Sequence, residues 1–254
     1  GLFVFEEGPT SADEYSLVTT YQGIDYSVAV ISGDDLSDVT LTIYESTAIL
    51  EEVRISMNSV LVVGIDSEAQ TLSVMELVLV ENTGDRIFIT DINEGGPMNL
   101  LRFPLPPNAV NLLVQTELPE GEVIQVDTGF AITSAVPPGE YSMAFTYTAS
   151  YQEGRVDFSR RFLQGAGSFR FLVPEDIGRV TGSSLESMES TEIGETTYQV
   201  LFAENIARGD SVTIALGDLA RPSVSRRILD QLRSPVWGTV VAVALVAALG
   251  GLVV

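Results

Sequence analysis

The sequence predicts an all-β protein: two tandem antiparallel Ig-like β-sandwich domains followed by a single C-terminal transmembrane helix. Two observations carry this prediction. Between residues 15 and 218, apolar and polar side chains alternate in short runs that Gly, Pro, Asn and Asp interrupt. From residue 236 to residue 254, by contrast, the chain is uncharged and almost wholly apolar. No amphipathic helical segments of about 10–15 residues separate the alternating runs, which argues against parallel βαβ units.

The clearest predicted strand is residues 141–151, YSMAFTYTASY. Its odd-numbered positions are mainly aromatic and its even-numbered positions are small, so the strand has one apolar face. That face predicts core packing, with a sugar-binding platform as the alternative. Further strands are predicted at residues 26–31, 39–44, 53–55, 60–65, 72–80, 86–89, 111–115, 123–126, 130–133, 155–158, 168–173, 197–202 and 211–215.

The domain division rests on a Gly- and Pro-containing stretch at residues 90–97 and on a short internal sequence repeat. Residues 78–89 and residues 200–215 both contain Glu-Asn followed by a Gly-Asp turn, which predicts a closing hairpin in each domain. Asn82, Gly84 and Gly209 are expected to supply positive φ in those turns. The predicted order is an acidic arm at 1–14, sandwich domains at 15–90 and 91–218, a juxtamembrane segment at 219–234 and the membrane helix at 235–254.

The membrane helix is predicted from its length and composition. Residues 236–254, VWGTVVAVALVAALGGLVV, include Thr239 as the one polar side chain besides the indole of Trp237. About twenty apolar residues span a hydrocarbon core of ~30 Å, and Trp237 suits the membrane interface. The alternative is a buried helix of a soluble protein.

Two features of this region predict its contacts. Small residues recur four apart and would let a second helix of another integral membrane subunit approach closely, although Gly and Ala are also common in membrane helices in general. Residues 221–234 form an amphipathic stretch whose arginines suit the lipid headgroups. The helix-packing positions are Gly238, Ala242, Ala244, Ala247, Ala248 and Gly251, and the interfacial positions are Arg226, Arg227 and Arg233.

The predicted location is the cell membrane, in a single pass, with the bulk of the chain extracytoplasmic. Gly1 fits the removal of a signal peptide, although a trimmed chain would begin in the same way. Arg residues on the N-terminal flank of the helix favour the opposite orientation, but large domains translocate largely regardless of charge.

Composition excludes several classes of function. A formal net charge of −22 argues against nucleic acid as a partner. All 13 basic residues are Arg, and the counts of His and Cys are both 0. These counts remove Ser-His-Asp and Cys-His catalysis, ordinary zinc sites and disulfides. No catalytic residue and no cofactor is therefore predicted.

Three short patterns in the sequence are candidate sites. Asp34, Asp35 and Asp38 are candidate calcium ligands. The alternative is an acidic loop that is simply exposed to solvent. Asp127-Thr128-Gly129 matches the aspartic-protease tripeptide, but one copy predicts a turn between strands, because that chemistry needs two carboxylates. Arg208-Gly209-Asp210 matches an adhesion tripeptide and equally well a hairpin turn.

Pro137-Pro138-Gly139-Glu140-Tyr141 heads the aromatic strand. Together with the Glu-Asn and Gly-Asp stretches and the C-terminal span, it resembles the signal-peptide-plus-C-terminal-anchor β-sandwich proteins of bacterial envelopes. Some of these are linked to cytochrome maturation or to respiratory and photosynthetic membrane complexes. The resemblance implies an accessory subunit of an energy-transducing assembly and assigns no catalytic residue.

The leading hypothesis is a non-catalytic, extracytoplasmic β-sandwich subunit whose helix packs into a larger membrane complex. A surface-displayed binding module for glycan or another cell is the second hypothesis. The third is a hydrolase that uses carboxylates alone, in which Asp127 would be essential.

Overall fold

The computed structural model describes residues 14–31, 39–90, 99–119, 121–126 and 128–221. Within these ranges regular structure consists of strands and one 3-10 turn at Leu50–Glu52, which confirms the predicted all-β class. The strands are β1 Glu14–Tyr21, β2 Ile24–Ile31, β3 Ser46–Thr47, β4 Val53–Asp66, β5 Thr71–Asn82, β6 Ile87–Phe88, β7 Leu101–Pro104, β8 Val110–Thr116, β9 Val123–Val126, β10 Gly129–Ile132, β11 Gly139–Ser150, β12 Val156–Arg161, β13 Ala166–Pro174, β14 Arg179–Ser183, β15 Glu186–Ile193, β16 Thr196–Ile206 and β17 Ser211–Gly217.

A seven-stranded sheet dominates the described chain, in the order β15-β16-β13-β4-β5-β11-β8. Two three-stranded sheets, β7-β10-β9 and β12-β17-β14, and two small pairs, β1-β2 and β3-β6, complete the set. The large sheet takes β4 and β5 from before residue 90 and its other five strands from after it. A division between residues 90 and 91 would therefore separate strands that are hydrogen-bonded neighbours in one sheet.

Two pairings between described strands are parallel, where the sequence predicts antiparallel sheets throughout. β13 pairs with β4 in parallel, and the two-residue strands β3 and β6 do the same. A parallel pair needs a long connection, and the chain between β4 and β13 is long enough to supply one. Period two specifies that a segment is a strand, but it carries no information about strand direction.

The two three-stranded sheets pack on the inner face of the large sheet to form a sandwich. Phe130 of β10 meets Phe145 of β11 edge to face, with 4.9 Å between ring centroids. Phe158 of β12 lies 5.3 Å from Phe171 of β13. One hydrophobic cluster joins all three sheets, so a common core runs beneath both small sheets.

Several predicted elements differ from the structure. Residues 39–44 form no strand, and the carbonyl of Tyr44 instead accepts a hydrogen bond from the Tyr26 hydroxyl at 3.0 Å. The runs predicted at 53–55 and 60–65 are one strand, β4, which continues through two bulges. β1, β3, β7, β14 and β15 were not predicted. In β15 the reason is plain, since its residues are mostly exposed and it has no apolar face.

Neither of the two predicted closing hairpins forms. β5 lies in the large sheet while β6 pairs with β3, and β16 lies in the large sheet while β17 joins a small one. Both stretches thus pass from one layer of the sandwich to another. Gly209 does adopt the expected positive φ of 84°, whereas Asn82 and Gly84 do not. The Asn82 amide instead donates to the carbonyl oxygens of Arg86 and Val136, each at 2.8 Å.

Within the described ranges no helix has the length and hydropathy needed to cross a membrane. The predicted span at residues 235–254 lies outside those ranges. So do its helix-packing positions and the three interfacial arginines.

Candidate functional site

Glu76 is a fully buried acidic residue in the centre of β5. The inward face of β5 is formed by every second residue, and Glu76 lies on it between Val74 and Val78. Across the sheet its register partners are Val60 on β4 and Phe145 on β11. A carboxylate in such apolar surroundings is stable only if its charge and its lone pairs are matched.

Three side chains supply that match. Arg160, which reaches in from β12 of a small sheet, places Nη1 2.6 Å from both carboxylate oxygens of Glu76. Tyr147 of β11 donates its hydroxyl to Oε1 at 2.9 Å. Asn58 of β4 donates its amide to Oε2 at 3.3 Å. The cluster of Glu76, Arg160, Tyr147 and Asn58, called here the buried polar cluster, therefore bridges the large sheet and the β12-β17-β14 sheet.

The ionisation of Tyr147 reflects this environment. Its ring is 3% exposed, and burial is the main cause that raises its pKa well above the ordinary value of 10.0. The negative charge of Glu76 raises the pKa further, while Arg160 opposes the shift. Tyr147 is thus held as a neutral hydrogen-bond donor to the carboxylate.

Two small cavities flank Arg160, each of about 20 Å³. Pro104, Tyr147 and Phe158 help to line one, and Asn58, Arg102 and Phe162 help to line the other. Asn58 is 2% exposed, and its Oδ1 atom has no hydrogen-bond partner within the described structure. A cavity of this size admits about one water molecule, so neither accommodates a substrate.

The chemistry open to Glu76 is correspondingly narrow. A nucleophile or general base needs a free lone pair directed at a substrate. Both oxygens of Glu76 already accept hydrogen bonds, and the Arg160 guanidinium lies against both of them. The ion pair and hydrogen bonds connect the two sheets and fix their relative position.

Metal binding finds no support in the part of the chain that the structure describes, where no three His, Cys, Asp or Glu side chains are grouped to hold an ion. The candidate calcium ligands Asp34, Asp35 and Asp38 lie outside the described residues. The calcium hypothesis for that loop therefore stays a prediction.

The Asp-Thr-Gly tripeptide lies between β9 and β10, which pair with Val126 opposite Gly129. This confirms the turn between two strands that one motif copy predicts, while Asp127 itself is outside the described residues. Gly129 has φ of 138°, and a Cβ atom there would overlap the carbonyl oxygen of Phe103 on the neighbouring strand. The glycine is required by this close approach of backbones.

The Arg-Gly-Asp tripeptide also has a structural role, through the side chain of Arg208. The Arg208 guanidinium donates to the carbonyl oxygens of Leu50, Glu51 and Val53 at 3.2, 2.8 and 2.7 Å. These carbonyls belong to the 3-10 turn and the start of β4, so Arg208 ties the connection between β16 and β17 to a distant segment. The aromatic face of β11 is likewise in the core, with Phe145 at 1% exposure, which confirms core packing there.

The buried polar cluster was not identified from the sequence, although one signal was present. In the run LSVMELVLV, residues 72–80, period two places Glu76 on the same face as Leu72, Val74, Val78 and Val80. An acidic residue on the apolar face of a predicted strand requires a buried partner. No comparable signal selects Arg160, because its pairing with Glu76 depends on the packing of two sheets.

No protein-family model matches the chain, and no curated protein matches it. Among solved structures, the chain is similar to an M1 zinc metallopeptidase from Deinococcus radiodurans, with 12% identity and a TM-score of 0.34 over 65% of this chain and 42% of that one. A variant of that enzyme bound to a Tyr-Ser-Ala substrate gives 13% identity and a TM-score of 0.35, over 70% and 45% of the two chains. The chain thus spans less than half the length of these enzymes, and similarity at this level supports no statement about activity.

Proposed function

We propose that this chain is a non-catalytic, membrane-anchored β-sandwich protein that serves as a structural subunit of a larger membrane complex, with its sheets outside the cytoplasm. The non-catalytic part of the proposal rests on the contacts made by the Glu76 carboxylate. This buried carboxylate is neutralised by Arg160 and receives hydrogen bonds at both oxygens. Its role is to hold the layers of the sandwich together.

The membrane part of the proposal is supported by sequence. The uncharged stretch at residues 236–254 is long enough to span a bilayer, and its small residues suit close packing against a second helix. The described chain ends at residue 221, and its last residues, Leu219 and Ala220, are hydrogen-bonded to the body of the protein. The Tyr151 hydroxyl donates to the Ala220 carbonyl at 2.6 Å, and the Leu219 N–H donates to the Gly154 carbonyl at 3.0 Å.

The resemblance to bacterial envelope proteins supports a search among energy-transducing membrane complexes for the partner. The test begins with native membranes extracted with alkaline carbonate, where an anchored protein stays in the pellet. Solubilisation in mild detergent, affinity purification and mass spectrometry should then recover at least one integral membrane protein in constant stoichiometry. Release by carbonate, or a protein that purifies alone, would overturn the proposal.

The helix contact is tested with a matched pair of variants. Ala244→Leu together with Ala248→Leu enlarges two small residues on one helix face and should abolish co-purification while leaving the protein in the membrane. Val243→Leu is the control, since it adds bulk at a position that is already large. Equal recovery of the partner with both variants would contradict packing through the small residues.

A further inference from the structure

The two edges of the seven-stranded sheet differ in character. At one edge, β15 carries Glu186, Glu189 and Glu192, and its pairing with β16 shifts register between Met188 and Thr191. Charged side chains and bulges are features that protect an edge strand against pairing with another chain. At the other edge, β8 has the sequence VNLLVQT, without a charged residue.

The β8 edge also exposes apolar side chains. Leu113 is 71% exposed and Val110 is 53% exposed, and Leu113 is the most exposed large apolar side chain among the described residues. On the inner face, Leu112 and Val114 pack against the core and hold the strand in place. Pairing with β11 shifts register between Val110 and Leu113, where Asn111 has φ of 57°. From Leu113 to Thr116 the pairing is regular, so the straight part of this edge is residues 113–116.

The free hydrogen-bonding groups of β8 follow from its pairing on the other side. The Glu117 N–H donates to the Ser142 carbonyl at 3.0 Å, and the Ser142 N–H donates to the Glu117 carboxylate at 2.9 Å. In an antiparallel ladder alternate residues face the neighbouring strand, so Gln115 and Leu113 face β11. The N–H and C=O groups of Val114 and Thr116 point away from the sheet.

A second neutral edge lies on the same flank. β9, with the sequence VIQV, is the outer strand of the β7-β10-β9 sheet, and Val123 is 49% exposed. β7, the opposite outer strand of that sheet, lines cavities together with Arg160 of the other small sheet, and β10 packs on β11, so β9 lies on the side toward β8. The flank formed by β8 and β9, called here the neutral flank, contains no charged side chain in either strand.

We propose that the neutral flank binds a second copy of this chain, with β8 pairing antiparallel to β8 of the other copy around a twofold axis near Val114. Such an axis is perpendicular to the sheet, so the large sheets of the two copies form one continuous sheet and their small sheets lie on the same face of it. β9 then also meets β9 of the other copy, and the small sheets continue across the contact as well. Each copy carries a formal charge of −22, and the neutral flank is where two such copies can approach without placing carboxylates opposite each other.

Disulfide trapping tests the contact directly, because the chain has no Cys of its own. The Val114→Cys variant of the full chain, in mild detergent under gentle oxidation, should form a covalent dimer of twice 27.3 kDa on a non-reducing gel. Met188→Cys, on the opposite edge, is the control and should stay monomeric. Absence of a Val114→Cys dimer, or equal cross-linking of both variants, would overturn the proposal.

Two further measurements keep the proposal falsifiable if Val114→Cys disturbs folding. The unmodified full chain should sediment with a dimeric protein mass, and Leu113→Lys should shift it to the monomer with an unchanged far-UV circular dichroism spectrum. Association should strengthen as salt rises, because salt screens the repulsion between acidic copies over about 10 Å at 0.1 M. A monomeric unmodified chain, or a dimer that dissociates with salt, would contradict pairing through the neutral flank.

Discussion

Arg160 and Glu76 lie in facing sheets, and Nη1 of the arginine is 2.6 Å from both oxygens of the glutamate. The glutamate is fully buried, and the arginine side chain is 12% exposed. An ion pair of this kind costs desolvation energy to form, but the loss of one partner leaves a charge buried without compensation. The pair therefore specifies how the sheets are placed more than it adds net stability.

Arg160→Met should lower the free energy of unfolding by about 3–5 kcal/mol, because Glu76 would stay buried without a counter-ion. Chemical denaturation followed by circular dichroism measures the change. Arg155→Met is the matched control, since Arg155 pairs with Asp157 at the surface and should cost at most about 1 kcal/mol. The double variant Glu76→Leu with Arg160→Met should recover most of the loss. Equal costs for the two single variants would contradict the role given to Arg160.

Stability should decline above about pH 10, the ordinary pKa of tyrosine. The pKa of Tyr147 is raised by burial, so the folded protein keeps this proton while the unfolded chain loses it. The unfolded state then binds fewer protons, and the free energy of unfolding falls as pH rises toward the folded pKa. Below pH 10 this contribution is fully present.

Tyr147→Phe isolates this effect. The variant should lose the hydroxyl that donates to Glu76, at a cost of about 1–3 kcal/mol at neutral pH, and should show a shallower decline above pH 10. Part of the decline should remain, because burial also raises the pKa of Tyr151 and Tyr198. Thermal melts between pH 7 and pH 11 provide the measurement. An unchanged slope would show that Tyr147 does not set the alkaline limit.

Arg208→Ala should destabilise the protein by about 1–3 kcal/mol, because the carbonyl oxygens of Leu50, Glu51 and Val53 would lose a charged donor. Asp210→Ala is the control within the same tripeptide, since its exposed side chain should contribute less than about 0.5 kcal/mol. Denaturation midpoints compare the two. A larger effect at Asp210 would favour a role for the tripeptide outside the fold.

Gly129→Ala should be the more damaging of two glycine substitutions. Its Cβ would overlap the Phe103 carbonyl oxygen, so β7 and β10 would have to separate. Gly194→Ala changes a glycine with φ of 64° and open space around it, and should cost only about 1–2 kcal/mol of backbone strain. Expression level and melting temperature compare the variants. Equal losses would show that the close approach at Gly129 can relax.

Period two in the sequence was sufficient to predict the β-class and the approximate position of most strands. The alternation in residues 141–151 placed Phe145 and Tyr147 on the core face, where the structure has them. The signal is local because each side chain reports which face of its own strand is buried. The same signal was present for Glu76, which period two puts on the face of Val74 and Val78, but its burial and its partner were not predicted.

Tertiary structure alone decided which strands are neighbours and what lies opposite each face. The parallel pairing of β13 with β4, the passage of both Glu-Asn stretches between layers and the contact of Arg160 with Glu76 all join segments that are distant in the chain. Hydrophobic alternation is the same for a strand whichever neighbour it pairs with, so such contacts are selected by the packing of whole sheets around a common core. By itself, then, the sequence determined which residues face inward, and the fold determined which of them meet.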